Sequence, residues 1–147
     1  MSDSNASPTI VVGVDGSEDS LQALRWAAHH ASLTGGKLRV VTGWDVPATI
    51  VLSPTYTEAD YARDAEETLQ RSVRDALGPD PGVPVVTQLV QDRPARVLVN
   101  EAEKADLLVI GRHGHGELPG VHLGTVASYC IHHAACPVVV VRRTTHV

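Results

Sequence analysis

The chain has 147 residues, 43% of them hydrophobic, enough for one well-buried domain and too few for two ordinary ones. Its formal net charge of -5 gives no broad attraction to nucleic acid or to anionic membrane, which argues against either as a main partner. No apolar run approaches a membrane span, and Met1-Ser2-Asp3-Ser4-Asn5 has neither the basic start nor the apolar core of a signal peptide, so a soluble cytoplasmic protein is expected.

Residues 1–8 are small and polar and read as a disordered tail, leaving 9–143 as the folded domain. Residues 9–14, Thr-Ile-Val-Val-Gly-Val, are continuously apolar, as expected of a central strand in a parallel sheet. Asp15-Gly16-Ser17 turns into a helix with Ser17 as N-cap and Glu18 and Asp19 favouring its dipole; Leu21, Leu24, Ala28 and Ala31 form the expected buried stripe, and Gly35-Gly36 ends it. Lys37–Trp44 is the second strand, with Leu38, Val40 and Val41 inward.

Residues 45–57 are too broken by proline for regular structure and too apolar for a plain linker. The segment suits a cover for a ligand cleft, a contact with a partner subunit, or a patch packed through its own Ile50, Val51 and Leu52. Glu58–Leu77 has helical spacing, with Ala62, Ala65, Leu69, Val73 and Leu77 on one face, and Gly78-Pro79-Asp80-Pro81-Gly82 stops it. Residues 83–91 are more polar and begin near Pro84, which fits an edge strand. Pro94 opens a third helix running to about Lys104, with Val97, Leu98 and Ala102 inward. Residues 106–110 are the fourth strand, 124–134 the fourth helix with Ala127, Cys130, Ile131 and Ala134 inward, and 137–141 the fifth strand. Strand and helix alternate throughout, predicting an open, doubly wound α/β sheet. In the order 3-2-1-4-5 the ligand crevice lies where strands one and four diverge, at Asp15 and Gly111.

Cys130 and Cys136 are six apart, without a CxxC or a second pair, and read as small buried hydrophobes.

The most informative stretch joins the fourth strand to the fourth helix. Its glycines allow close approach of backbone to a ligand and expose amide N–H groups, the following helix start adds unpaired N–H groups, and Thr125 adds a hydroxyl. The absence of lysine rules out a Walker A loop, and the spacing Gly111-x-x-Gly114 is not GxGxxG. The spacing is Gly, two residues, Gly, nine residues, Gly-Thr, carried by Gly111, Gly114, Gly124 and Thr125. This resembles the ATP-binding signature of the universal stress protein family.

That resemblance extends over nearly the whole chain: Gly13-Val14-Asp15-Gly16-Ser17 resembles the family's first strand end, and residues 133–142 its characteristic close. It implies a Rossmann-like, adenine nucleotide α hydrolase-like sheet that binds ATP, with adenine near Gly43 and the phosphates and ribose at Gly111, Arg112, His113, Gly114, Gly124, Thr125 and Val126. Gly13, Val14, Asp15 and Ser17 face them, and Asp15 is a candidate for holding Mg²⁺ on the phosphates or accepting from a ribose hydroxyl; its alternative role is to cap the turn at Gly16 and Ser17. Glu117 adds negative charge to the loop and either helps bind metal or points away.

His113, His115 and His122 sit in or beside the loop without the spacing of a Zn²⁺ site, and phosphate contact or solvent exposure is the expected role. His29-His30 and His132-His133 are adjacent on helices, point in different directions and read as structural. The apolar fifth strand, Val138–Val141, would invite aggregation as a bare edge, so pairing with its copy in a homodimer is expected, as the resemblance also implies.

The leading functional reading is a cytoplasmic ATP-binding stress-response regulator; a relative that binds cyclic AMP is an alternative within it. A slow ATPase is a second reading, held back because only Arg112 and the loop histidines supply cationic groups and no nucleophile elbow is present. A phosphoacceptor domain ranks last, because residues 83–91 contain no Asp and no Lys follows the fifth strand.

Overall fold

The computed structural model describes residues 7–46, 55–114 and 123–143. Five strands, β1 (Thr9–Gly13), β2 (Lys37–Trp44), β3 (Val85–Gln91), β4 (Leu107–Gly111) and β5 (Val138–Val141), form one parallel sheet in the order β3-β2-β1-β4-β5. Four helices intervene: α1 (Glu18–Thr34), α2 (Glu58–Leu77), α3 (Pro94–Ala102) and α4 (Thr125–His133).

The strand period divides the core between the two faces. Ile10, Val12, Leu38, Val40 and Val109 pack with α1 and Leu69 of α2 on one face. Val11, Val41, Leu108 and Ile110 pack with Val97 and Leu98 of α3 and Ala127 and Cys130 of α4 on the other. Both faces are covered, which is why β1 and β4 read as continuous apolar runs rather than alternating ones. β3 lies at the sheet edge, as Pro84 and its polar residues suggested; Pro84 has no N–H to give, yet its carbonyl accepts from Leu38 N at 2.9 Å.

Two expected stripes are corrected. On α1 the buried residues are Ser20, Ala23, Leu24, Ala27 and Ala31; Ala28 packs against them partly buried, and Leu21 falls on the flank. The helix is turned because Ser20 is drawn inward, its hydroxyl donating to Ser17 O (2.9 Å) and accepting from Asp15 N (3.3 Å). On α4 only Ala127 and Cys130 are buried and Ile131 is 47% exposed. A helix docking through two small side chains buries a narrow stripe, and Ile131, next to Cys130 in sequence, is turned about 100° away from it.

Burial pushes the Cys130 thiol up to about 11 from 9.0, and burial followed by the Asp106 charge raises that of Cys136. The thiolate is the reactive form. Half-exposed Cys136 is therefore expected to react slowly with a thiol reagent in the native protein, and Cys130 only after unfolding. Counting modified thiols with and without denaturant checks this. Because the folded-state value of Cys130 is raised, its protonated form favours folding, and that contribution is lost as pH rises from about 9 to about 11.

Candidate functional site

Strands β1 and β4 are paired in parallel, Val12 opposite Val109, so their carboxyl ends open side by side. The β1 backbone is held past its last strand residue: Val14 N donates to Val41 O at 3.1 Å, and the buried Thr42 hydroxyl donates to Val14 O at 2.9 Å. The chain then turns at Gly16, whose φ of 84° suits a residue without a side chain. Asp15 Oδ1 accepts from Ser17 N at 2.9 Å, and Ser17 Oγ accepts from Ser20 N at 3.3 Å to start α1.

Asp15 therefore does form the turn, but with one oxygen. Its Oδ2 faces the loop leaving β4, where a Cβ added to Gly114 would lie 2.7 Å from it. Only a glycine lets the two segments meet this closely. At Gly111 a Cβ would lie 2.8 Å from Asp19 C and 2.9 Å from Asp19 Cβ, so this glycine lets the first turn of α1 press on the end of β4. The two glycines thus admit different neighbours, one a carboxylate at the crevice and the other a helix.

Arg112 N donates to Val141 O and Gly124 N donates to Arg112 O, each at 2.8 Å, so the loop returns to where it began and α4 starts beside the strand end. Gly124 is the N-cap of α4 and contributes no side-chain cap. Arg112 Nε is fully buried without an acceptor among the described residues. An unsatisfied buried donor is costly, and an anionic ligand oxygen is the kind of acceptor it lacks.

These segments enclose a cleft of about 240 Å³. All the expected site residues line it except Ser17, which is spent on the helix cap, and Thr125, which faces a separate shallow groove with Tyr129 and His132 on the outside of α4. Ser20, Val41, Pro94, Leu98, Ile110 and Ala127 also line the cleft and were not expected to. The signal for three of them was periodicity: Val41 shares a strand face with Gly43, and Pro94 and Leu98 are one helical turn apart. The resulting walls are apolar on the α3 side and polar at Asp15, Arg112 and His113.

Asp19 is the other residue whose role was missed. His113 N donates to its Oδ2 at 3.1 Å, and Arg143 N to its Oδ1 at 3.2 Å. Among the described residues no group of three or more His, Cys, Asp and Glu is arranged to hold a metal. His115, Glu117, Pro119 and His122, and residues 47–54 of the other long loop, lie outside the described residues. Three further histidines have ordinary partners: His30 stacks on Trp26 with centroids 5.0 Å apart, His132 Nδ1 lies 2.7 Å from Ser128 O, and His133 leans on Tyr129 at 4.3 Å. No helix among the described residues is long and apolar enough to cross a membrane.

Comparison with known proteins shows the family and the fold. Residues 7–142 match the model of the universal stress protein family. A universal stress protein of Mycolicibacterium smegmatis is 36% identical over 140 residues, covering 90% of this chain and 47% of that protein, so the chain spans about half the length of the curated relatives it matches. Among solved structures, the universal stress protein UspA from Lactobacillus plantarum is 26% identical with a TM-score of 0.69, covering 94% of this chain and all of that one. A universal stress protein in complex with cAMP is 28% identical with a TM-score of 0.71, covering 95% and 99%.

Proposed function

Because the chain belongs to the universal stress protein family, we propose that it is a cytoplasmic regulatory protein that binds an adenine nucleotide, ATP with Mg²⁺, in the cleft between β1 and β4. The observation that carries this is the contact of Gly114 with Asp15 Oδ2, a carboxylate set against a glycine loop at the sheet's divergence point. The residues fit the ligand. Val41, Leu98, Ile110 and Ala127 offer an apolar seat for a base beside Gly43. Arg112 carries a buried donor without an acceptor among the described residues, and the start of α4 favours anionic oxygen. The cleft falls just below the roughly 300–1,000 Å³ usual for small-molecule sites. The proposed pose therefore seats base and sugar within it and directs the phosphates toward Gly114 and Gly124.

Mg²⁺ is commonly held by one or two carboxylates together with phosphate oxygens, and Asp15 supplies the carboxylate in this proposal. Its neutral isostere separates the two roles of the residue. Asp15→Asn keeps an acceptor for Ser17 N and thus the turn, but removes the charge. Calorimetric titration of the wild type is expected to show one ATP per chain, with affinity about tenfold weaker when EDTA replaces Mg²⁺; in Asp15→Asn that difference should vanish. No heat from the wild type overturns the nucleotide reading. Tighter binding of cyclic AMP than of ATP in the same titration would instead assign the cleft to the ligand of the 28%-identical neighbour.

The proposed role is binding rather than turnover. Among the described residues the cleft has one guanidinium, Arg112, and one imidazole, His113, and no side chain beyond Asp15 arranged to orient a nucleophile. Phosphate release is expected to stay near background.

We also propose a homodimer through β5. This strand is four valines, each half-buried, and among the described residues it has a strand partner on one side only, β4. Pairing with a second copy would bury both apolar edges. Light scattering on the eluting protein should give twice the mass of the chain.

A further inference from the structure

We propose that Asp19 is a positioning residue of the cleft, clasping with its two carboxylate oxygens the segments that leave β4 and β5. The proposal rests on the nucleotide reading of that cleft.

An acid in the first turn of a helix is ordinarily explained by the helix dipole, and Glu18, its exposed neighbour, needs no more than that. Asp19 differs. Its side chain is only 12% exposed, and its carboxylate oxygens bond the backbone amides of distant segments: Oδ2 accepts from His113 N at 3.1 Å, Oδ1 from Arg143 N at 3.2 Å. The His113 imidazole adds a third contact, Nδ1 lying 3.6 Å from Oδ2. The sheet register makes this span reachable, because Gly111 is paired with Val141 and the residues after each emerge side by side. The missing side chain of Gly111 brings the backbone of Asp19 within contact of the strand end.

The consequence falls on the cleft. His113 lines it, and the next residue, Gly114, abuts Asp15 Oδ2. Asp15 is fixed by the turn before α1 and Asp19 sits in that helix's first turn, so one rigid element holds both the carboxylate and the loop opposite. Without the Asp19 carboxylate the 111–114 segment loses its hydrogen bond to α1 and keeps only the packing at Gly111, so the spacing between Asp15 and the loop is less closely set.

Two measurements test this. Amide hydrogen exchange in the nucleotide-free protein reads the clasp, and calorimetric titration with Mg·ATP reads its effect. In Asp19→Ala the His113 and Arg143 amides should exchange at least about tenfold faster while Val11 and Val12 stay protected, and the Kd for Mg·ATP should rise about tenfold, the scale of a lost charge-assisted hydrogen bond. Asp19→Asn, nearly isosteric and able to accept at only one of its two positions, should fall between, and it serves if the alanine variant does not fold. Glu18→Ala, which alters the same dipole, should change neither readout. Unchanged amides in Asp19→Ala, or exposed amides with ATP affinity within about twofold of wild type, overturn the proposal and leave the nucleotide reading standing. Wild-type protein that takes up no ATP overturns both.

Discussion

Gly114→Ala is expected to weaken ATP binding by roughly 100-fold, ~2.8 kcal/mol, while changing folding stability by less than about 1 kcal/mol. The added methyl would lie 2.7 Å from Asp15 Oδ2, closer than real contacts of this kind, so one side must move. Asp15 is not free to yield: its Oδ1 holds Ser17 N and its own N–H is held by Ser20 Oγ. The loop must then shift, carrying His113 with it, and the methyl occupies the carboxylate face that the proposed metal and phosphate would share. Stability is spared because Gly114 is only half-buried and does not have a positive φ, so alanine adopts its backbone without strain. Calorimetry set beside a denaturant melt checks both halves. A variant that loses stability and affinity together would mean that Gly114 serves the fold.

Gly43→Ala is expected to behave in the opposite sense, losing about 2–3 kcal/mol of stability by overpacking. Here the added Cβ meets Pro94 Cα at 2.8 Å, Val97 Cγ2 at 3.0 Å and Asp92 O at 3.2 Å, two of them backbone atoms at the start of α3. The helix cannot swing a side chain aside; it must lift from β2. Gly13→Ala makes the useful contrast, because its nearest neighbour at 2.5 Å is the Cδ1 methyl of Leu98, the end of a side chain that can rotate. That variant should lose less than about 1 kcal/mol, yet bind nucleotide more weakly, because the displaced Leu98 lines the cleft. Urea melts should rank Gly43→Ala as the more destabilised of the two; the reverse order would contradict the assigned contacts.

The architecture was legible in the sequence for a physical reason. Strands buried on both faces must be continuously apolar, and Thr9–Gly13 and Leu107–Gly111 are, while Gly and Pro punctuate nearly every connection. The bounds of β2 and α2 follow because Gly35-Gly36, Thr57 and Gly78-Pro79 leave little freedom at their ends. Helix rotation was less legible. Apolar spacing on α1 pointed to Leu21, but the inward position of Ser20, bonded to Asp15 N and Ser17 O, goes with a different buried edge, and a serine carries no such signal. Ile131 misled for the related reason that α4 docks through small residues.

At the cleft the glycine spacing marked the right segment, and what it left unsaid is which neighbour each glycine admits. Gly111 and Gly114 look equivalent in the sequence, yet one accommodates a helix backbone and the other a carboxylate. Asp19 was unreadable because its two partners lie 94 and 124 residues away. A helix-start acid has a sufficient local explanation, and nothing in the local pattern demands another.

The most direct test is to add Mg·ATP to isotopically labelled protein and follow the backbone amide resonances. The proposed function predicts saturable shifts clustered at Gly13 to Ser17, Gly43, Gly111 to Gly114 and Gly124 to Val126, with β3 and the outer face of α2 unmoved. An unchanged spectrum, or shifts confined to surfaces away from the ends of β1 and β4, would contradict it.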